Sequence, residues 1–440
     1  MKKTLCVIAL IALLAGMPLF SQGQEDSGEP AEPVASATEA GTPGAPVKLR
    51  ALIGSWNTMA STVDARKDFY ERQLLAWAER HPDVYVEIEG IPGGTTAQAM
   101  TKLITAALAG NPHDVANIDS QWVGNFHEAG VLSPIDDYLD DADKTQFFDF
   151  TKMVTMRDGK QYGLWAETGL LLYYWNTDIS PERPATWDDV FALNDRLKAE
   201  GSDVTPFLTI AKGAAAAFAF LPLYWAQDGV LFDPNDDFRP VFGEGKNREA
   251  MITTLNFYRD LLEAGAMPPE IISYEHNEVA AEGKAGKAAS FIGGSWLLGQ
   301  LDVEEWGYGS LPMYEEGVSS NIYGGWTFGF LAKDEKKLEE SVNFIKEVYT
   351  DKDAMAERLP LHGYIPVRKD VLRSEGFDTP FYTEIFRQLE VGRARPATSL
   401  YPDVEVLVEE AIGKIVAGER DTAKLVDQMF KDVVAKYNDR

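Results

Sequence analysis

The chain has 440 residues, 45% of them hydrophobic, and carries 41 Lys and Arg against 69 Asp and Glu, a formal net charge of 41 − 69 = −28. So acidic a chain is a poor partner for nucleic acid, which rewards clustered cations, and its apolar content excludes a wholly disordered polymer. A single cysteine, Cys6, excludes intrachain disulfides and Cys-ligated zinc or iron–sulfur centres.

Lys2 and Lys3 precede an apolar run over residues 5–14, followed by Pro18 and the small residues Ser21 and Gly23. The run is shorter than the roughly 20 residues a bilayer span needs, so residues 1–23 read as a cleavable secretory signal peptide. Cys6 lies before the apolar core rather than at the cleavage point, so no lipid anchor is expected. Residues 24–47 hold five carboxylates from Glu25 to Glu39 and four prolines, and read as a disordered acidic tether.

Residues 47–53 read as a buried strand. Residues 64–80 have helical periodicity, with Phe69, Leu74, Leu75 and Ala78 on one side. Residues 84–88 alternate as a second strand, residues 95–108 as a second helix, and residues 115–118 as a third strand. This alternation predicts an α/β sheet with parallel strands. The glycine-rich residues 90–94 read as a loop. Residues 162–176 read as an apolar strand pair interrupted by Glu167. Thr186, with Asp189 three residues on, predicts a capped helix start. Residues 213–226 are apolar enough for a membrane but too short and contain Pro222, so they read as a buried core helix. The last 35 residues read as two amphipathic helices split near residues 418–421.

The five histidines, His81, His113, His127, His276 and His362, show no His-Glu-x-x-His and no i, i+4 pair, so no metal site is expected. No nucleophile elbow, Walker loop or dinucleotide fingerprint occurs, and no cofactor is expected. Ten tryptophans stand out instead, several beside Gly or Asp at apparent strand-to-helix junctions. In open α/β sheets those junctions line the ligand crevice. A flat aromatic face with a nearby carboxylate suits a sugar: the C–H face packs on the ring and the hydroxyls find acceptors.

From residue 47 onward the order of segments resembles the family 1 extracellular solute-binding proteins, the periplasmic sugar receptors of ABC importers of the maltose- and trehalose-binding kind. The matching pieces are LLAWAERHPDVYV ending at Val86, the stretch from Ala107 through NPHDVANIDSQW to Leu132, and DGKQYGLWAETGLLLYYWN from Asp158 to Asn176. PATWDD from Pro184, GKAASFIGGSW ending at Trp296, YGGWTFGFL from Tyr323, and Arg395-Pro396 with Tyr401-Pro402 complete the series. His113 and Trp165 stand where the family usually has proline.

The resemblance implies an α/β, type II-like two-lobe periplasmic-binding-protein fold. A three-segment hinge would cross near Glu167, residues 311–312 and Gly363, with the ligand between the lobes. Lobe I would be 48–167 and 312–363, and lobe II 168–311 and 364–440. It further implies a monomer that binds a carbohydrate and hands it to ABC permease subunits, with no catalysis. A glycerol phosphodiester or a polyamine is the alternative ligand, and a secreted glycoside hydrolase with paired carboxylates the alternative class.

Twelve residues are the expected ligand contacts. Trp296 and Trp326 follow glycine pairs at strand ends and would stack on sugar, with Gly325 allowing close approach. Asp119, with Trp122 behind it, would accept hydroxyls. Glu167 is a lone carboxylate in an apolar segment, so a ligand hydroxyl or a buried arginine must satisfy it. Trp165, two residues earlier, would share its side of the strand. Arg395 would bind two hydroxyls with its fork or pair with Glu167 or Asp119. Ser55 and Trp56, after the first strand, and Trp225 with Asp228 complete the set.

Overall fold

The opening alternation of strand and helix folds as its periodicity predicts. A computed structural model describes residues 38–91, 96–302, 304–314, 319–396 and 398–439. The signal-peptide segment, most of the tether and residues 92–94 of the glycine-rich loop lie outside the described residues.

Strands β1 (Thr38–Ala40), β2 (Val47–Gly54), β3 (Val84–Ile91) and β4 (Val115–Asp119) come first. Two short hairpins follow elsewhere in the chain, β5 (Met156–Arg157) with β6 (Lys160–Gln161), and β8 (Phe232–Asp233) with β9 (Arg239–Pro240). The remaining strands are β7 (Gly163–Asn176), β10 (Ser290–Gly294), β11 (Trp306–Gly309), β12 (Asn321–Phe330) and β13 (Gly392–Ala394). One sheet runs in the order β1-β3-β2-β4-β12-β7-β10, with β11 beside β7 and β13 beside β12. β3, β2 and β4 are parallel, linked by the helices Asp64–Arg80 and Thr96–Leu108, as a crossover connection requires. β12 enters antiparallel to both β4 and β7.

The expected strand pair at residues 162–176 is one 14-residue strand, β7. From Gly163 to Leu170 it pairs with β12, and from Leu171 onward with β10 and β11. Twelve of its fourteen residues are buried, so it reads as a continuous apolar run rather than an alternation. Its first half is thus joined to the β12 side of the sheet and its second half to β10 and β11.

Two sequence expectations change. Thr38–Ala40 lies within the segment read as a tether, yet it adds an antiparallel edge strand to β3, with Ala40 and Ala45 buried. Backbone hydrogen bonds to an open sheet edge need no apolar composition, which is why composition missed it. In the first helix Leu75 is 61% exposed, and the buried face is Phe69, Tyr70, Leu74 and Trp77.

The helix Ala214–Trp225 is buried from Ala216 to Trp225 and packs against Tyr401–Val416, as a core helix apolar all round should. Thr186 and Asp189 form the expected capping box on Trp187–Ala199. No described helix is long and apolar enough to cross a membrane.

Candidate functional site

The carboxyl ends of β2 and β4 meet the middle of β12, and several of the expected residues gather there. The turn Ser55–Asn57 leaves β2. The Trp56 indole folds back over Gly54, where a Cβ would meet the ring at 2.4 Å. Its centroid lies 5.0 Å from that of Trp326, with the rings tilted at 60°. Both are half-buried. Trp326 is the register partner of Asp119 on β4 and of Glu167 on β7.

Arg395 spans this corner. It grips both oxygens of Asp119, with Nη1 to Oδ2 at 3.3 Å, and donates to Gln121 Oε1 at 2.7 Å and Ser120 Oγ at 2.8 Å. Its guanidinium carbon lies 5.6 Å over the Phe218 ring. Of the two sequence alternatives, the pairing with Asp119 is the one formed, and it holds the loop after β4 against β13.

Gly324 and Gly169 are register partners on β12 and β7. A Cβ at Gly324 would meet Arg395 Nε at 2.7 Å, and one at Gly169 would meet the Trp296 ring at 2.4 Å. Paired residues of neighbouring strands share a sheet face. Trp296 and Arg395 therefore lie over the same face of the two crossing strands, and the missing side chains make room for both. Trp296 is half-buried, 4.7 Å edge-on to His276 and 6.0 Å from Tyr364. Burial pushes the His276 imidazole down to about 4, so it packs there neutral.

Glu167 is the chief correction. It is 0% exposed and both of its oxygens are taken. Oε2 accepts from Arg358 Nη1 at 2.7 Å and Oε1 from Asn57 Nδ2 at 2.8 Å. Arg358, itself 0% exposed, also donates to the Ala166 carbonyl at 2.8 Å. Tyr70 donates to Asn57 Oδ1 at 2.9 Å, and Tyr349 to the Asn57 carbonyl at 3.2 Å. Burial opposes the Arg358 charge, but Tyr70 and Glu167 beside it more than offset that and its pKa is raised. Glu167 is thus satisfied by a buried arginine and by Asn57.

Trp165 does not share Glu167's side. A β-bulge between Trp326 and Thr327 makes Glu167 the partner of Trp326 and Trp165 the partner of Thr327, so the alternation breaks between them. Trp165 is 2% exposed, and its indole donates to the Glu167 carbonyl at 2.7 Å. Gly325 is glycine for packing: a Cβ would meet the Glu167 carbonyl oxygen at 1.9 Å. Trp225 is 5% exposed, and its face is covered by the Arg393 guanidinium 5.8 Å away. Asp228 is exposed in a turn at φ 58, its backbone N–H donating to the Trp225 carbonyl at 3.0 Å. The Ser55 hydroxyl is spent on the Ile91 carbonyl at 2.9 Å. Trp122 follows Asp119 in the turn Ser120–Trp122, half-buried, with no described partner for its buried Nε1; Trp56 Nε1 is in the same position.

Sequence reasoning missed Asn57, Gln121, His276, Arg358 and Glu405. Glu405 is 4% exposed and accepts from Gln121 Nε2 at 2.9 Å. Burial raises its carboxyl well above the usual range, Arg395 pulling the other way and Asp119 adding to the rise. Only the unmet charge of Glu167 signalled that one of these residues must exist. Among the described residues no group of three or more His, Cys, Asp or Glu could hold a metal.

The architecture has known counterparts. The maltose-bound structure of T. maritima MalE3 superposes with a TM-score of 0.74 at 20% identity, covering 88% of this chain and 99% of that one. A maltotriose-bound binding protein of Thermus thermophilus gives 0.74 at 19% identity over 88% and 100%. These likenesses show the two-lobe fold. In sequence, the arabinooligosaccharide-binding protein of Bacillus subtilis is 23% identical over 73% of this chain and 75% of its own. The family model of bacterial extracellular solute-binding proteins matches residues 60–355, about two thirds of the chain and every strand from β3 to β12. With the parallel β2–β4 unit, the long shared strand β7 and the indoles over its glycine in place, the chain belongs to the bacterial extracellular solute-binding protein family.

Proposed function

We propose that this protein captures an oligosaccharide outside the cytoplasm and delivers it to the membrane permease of an ABC importer. The observation that carries this is the pair of half-buried indoles, Trp326 and Trp296, set over one face of the crossing strands. Each stacked ring contributes about 0.5–1.5 kcal/mol beyond its buried area, and hydrogen bonds to charged groups about 1.5–3 each. Against association costs of about 4–15 kcal/mol, micromolar affinity needs no metal.

Charge favours a polyhydroxyl over a polyamine. Asp119 and Glu167, the two carboxylates expected to face the ligand, are neutralised by Arg395 and Arg358. The enclosed space beside Arg395 is about 10 Å³, room for one water molecule. The sugar is therefore received on the open sides of Trp326 and Trp296 as the lobes part and close. β7 near Glu167, β12 near Gly324, and the bond from Ile365 N to the Thr168 carbonyl at 2.8 Å after Gly363 are the crossings about which they turn. We take the second crossing to lie on β12, in place of the expected residues 311–312. Residues 1–23 direct export, the receptor acts as a monomer, and it binds without catalysing, since snug ground-state binding accelerates nothing.

The test is tryptophan fluorescence and thermal unfolding of residues 24–440 against maltotriose, arabinotriose, trehalose, cellobiose, glucose, glycerol phosphate and spermidine. A ligand at about 100 times its Kd adds about 2.7 kcal/mol of stability. An oligosaccharide that moves both signals, and fails to do so with Trp296→Ala, supports the reading. A response to spermidine or glycerol phosphate alone replaces the ligand. Hydrolysis of a chromogenic glycoside by the wild type refutes the receptor role.

A further inference from the structure

Two arginines stand close together here, Arg393 on β13 and Arg395 immediately after it, and only the second is spent. Arg395 is held by Asp119, Ser120 and Gln121. Arg393 is exposed, and its guanidinium makes no hydrogen bond or ion pair with any described residue. Its guanidinium carbon lies 5.8 Å from the centre of the Trp225 ring. Trp225 is itself buried, so it serves as a floor for the guanidinium rather than as a platform for sugar.

The register fixes where Arg393 stands. Its partner on β12 is Ile322, two residues before Gly324 and four before Trp326. Alternate residues of a strand share a face, and so do register partners. Arg393 therefore lies on the face that carries Arg395, Trp326 and Trp296, two residues before Arg395, about 6.6 Å away along the chain at the usual strand rise. Contact with an indole holds the guanidinium plane and limits the rotamer freedom that binding would otherwise remove. The guanidinium carries five N–H donors in a planar fork suited to two oxygens at once.

We propose that Arg393 is a specificity-determining residue of this site, donating to an oxygen acceptor, hydroxyl or carboxylate, at one end of the bound sugar. The inference rests on the oligosaccharide reading and extends the site along β13 beyond the tryptophan pair.

The experiment is calorimetric titration of the wild type, Arg393→Ala and Arg393→Lys with maltotriose, arabinotriose and trigalacturonate, with the melting temperature of each variant. The expected result is at least a tenfold loss of affinity in Arg393→Ala, partly restored in Arg393→Lys, with a melting temperature within about 2 °C of wild type. Loss on a neutral trisaccharide identifies a hydroxyl partner, and loss confined to trigalacturonate identifies a carboxylate. Affinities within twofold of wild type for every sugar the wild type binds overturn the inference and leave the receptor reading intact. A lowered melting temperature with unchanged affinity assigns Arg393 to the end of the helix Ala214–Trp225 instead and equally overturns it. A wild type that binds none of the three, nor any sugar in the wider panel, removes the inference together with the reading beneath it.

Discussion

Removing the positive partner of Glu167 tests the buried centre of the molecule directly. In Arg358→Met the Glu167 carboxylate keeps Asn57 Nδ2 at 2.8 Å but loses the cation it is hydrogen-bonded to, at 2.7 Å. Breaking one side of a buried ion pair costs about 3–5 kcal/mol, because the remaining charge is left without compensation. Unfolding entropy is about 2 cal/mol/K per residue, hence about 0.8 kcal/mol/K for a folded body of some 400 residues. The melting temperature should therefore fall by about 4–6 °C. The double variant Glu167→Gln/Arg358→Met leaves neither charge of the pair and should recover at least half of that loss. Sugar affinity of Glu167→Gln, measured on folded protein, should stay within about threefold of wild type, since neither oxygen faces a ligand. The assay is thermal and urea unfolding of the two single variants and the double, with calorimetric titration of the best sugar. A double variant no more stable than Arg358→Met would refute the uncompensated-charge argument. A tenfold loss of affinity in well-folded Glu167→Gln would return Glu167 to the ligand.

Two predictions concern pH. His276 is depressed to about 4 from 6.5 by burial, so its contribution is present above pH 6.5 and is lost as pH falls toward 4. Each pKa unit is about 1.4 kcal/mol, so the full loss is of order 3 kcal/mol. His276→Asn should flatten the fall in melting temperature between pH 6.5 and 4, and an unchanged pH profile would contradict this. Glu405 has the opposite sign: its folded pKa is raised, so the native state holds the proton more tightly and loses stability as pH rises above about 4.5. Glu405→Gln should gain stability relative to wild type as pH goes from 4.5 to 8, read as a growing difference in melting temperature. A constant difference across that range would show that Glu405 does not titrate in it.

The parallel unit β2–β4, its two helices and the capped helix after Thr186 were legible in the sequence, because periodicity and capping are local properties of consecutive residues. So was the demand that Glu167 be satisfied, since a lone carboxylate in an apolar run is costly wherever the chain takes it. Trp56, Asp119, Trp326 and Arg395 were named from sequence and do converge. What no local pattern contained was how they converge. Trp165 lost its place beside Glu167 to a single bulge, which resets the two-residue alternation and depends on the partner strand. Arg358 and Asn57 lie 191 and 110 residues from Glu167 in the chain, so only the tertiary fold could choose them as its partners. The same holds for the acidic segment at Thr38–Ala40, whose order comes from the open edge of β3 rather than from its own composition. The sequence determined which elements form and which charges need partners, because those are energies of neighbouring residues. The tertiary structure decided which donors and rings remain for a ligand, because that depends on pairings the distant chain has already used up.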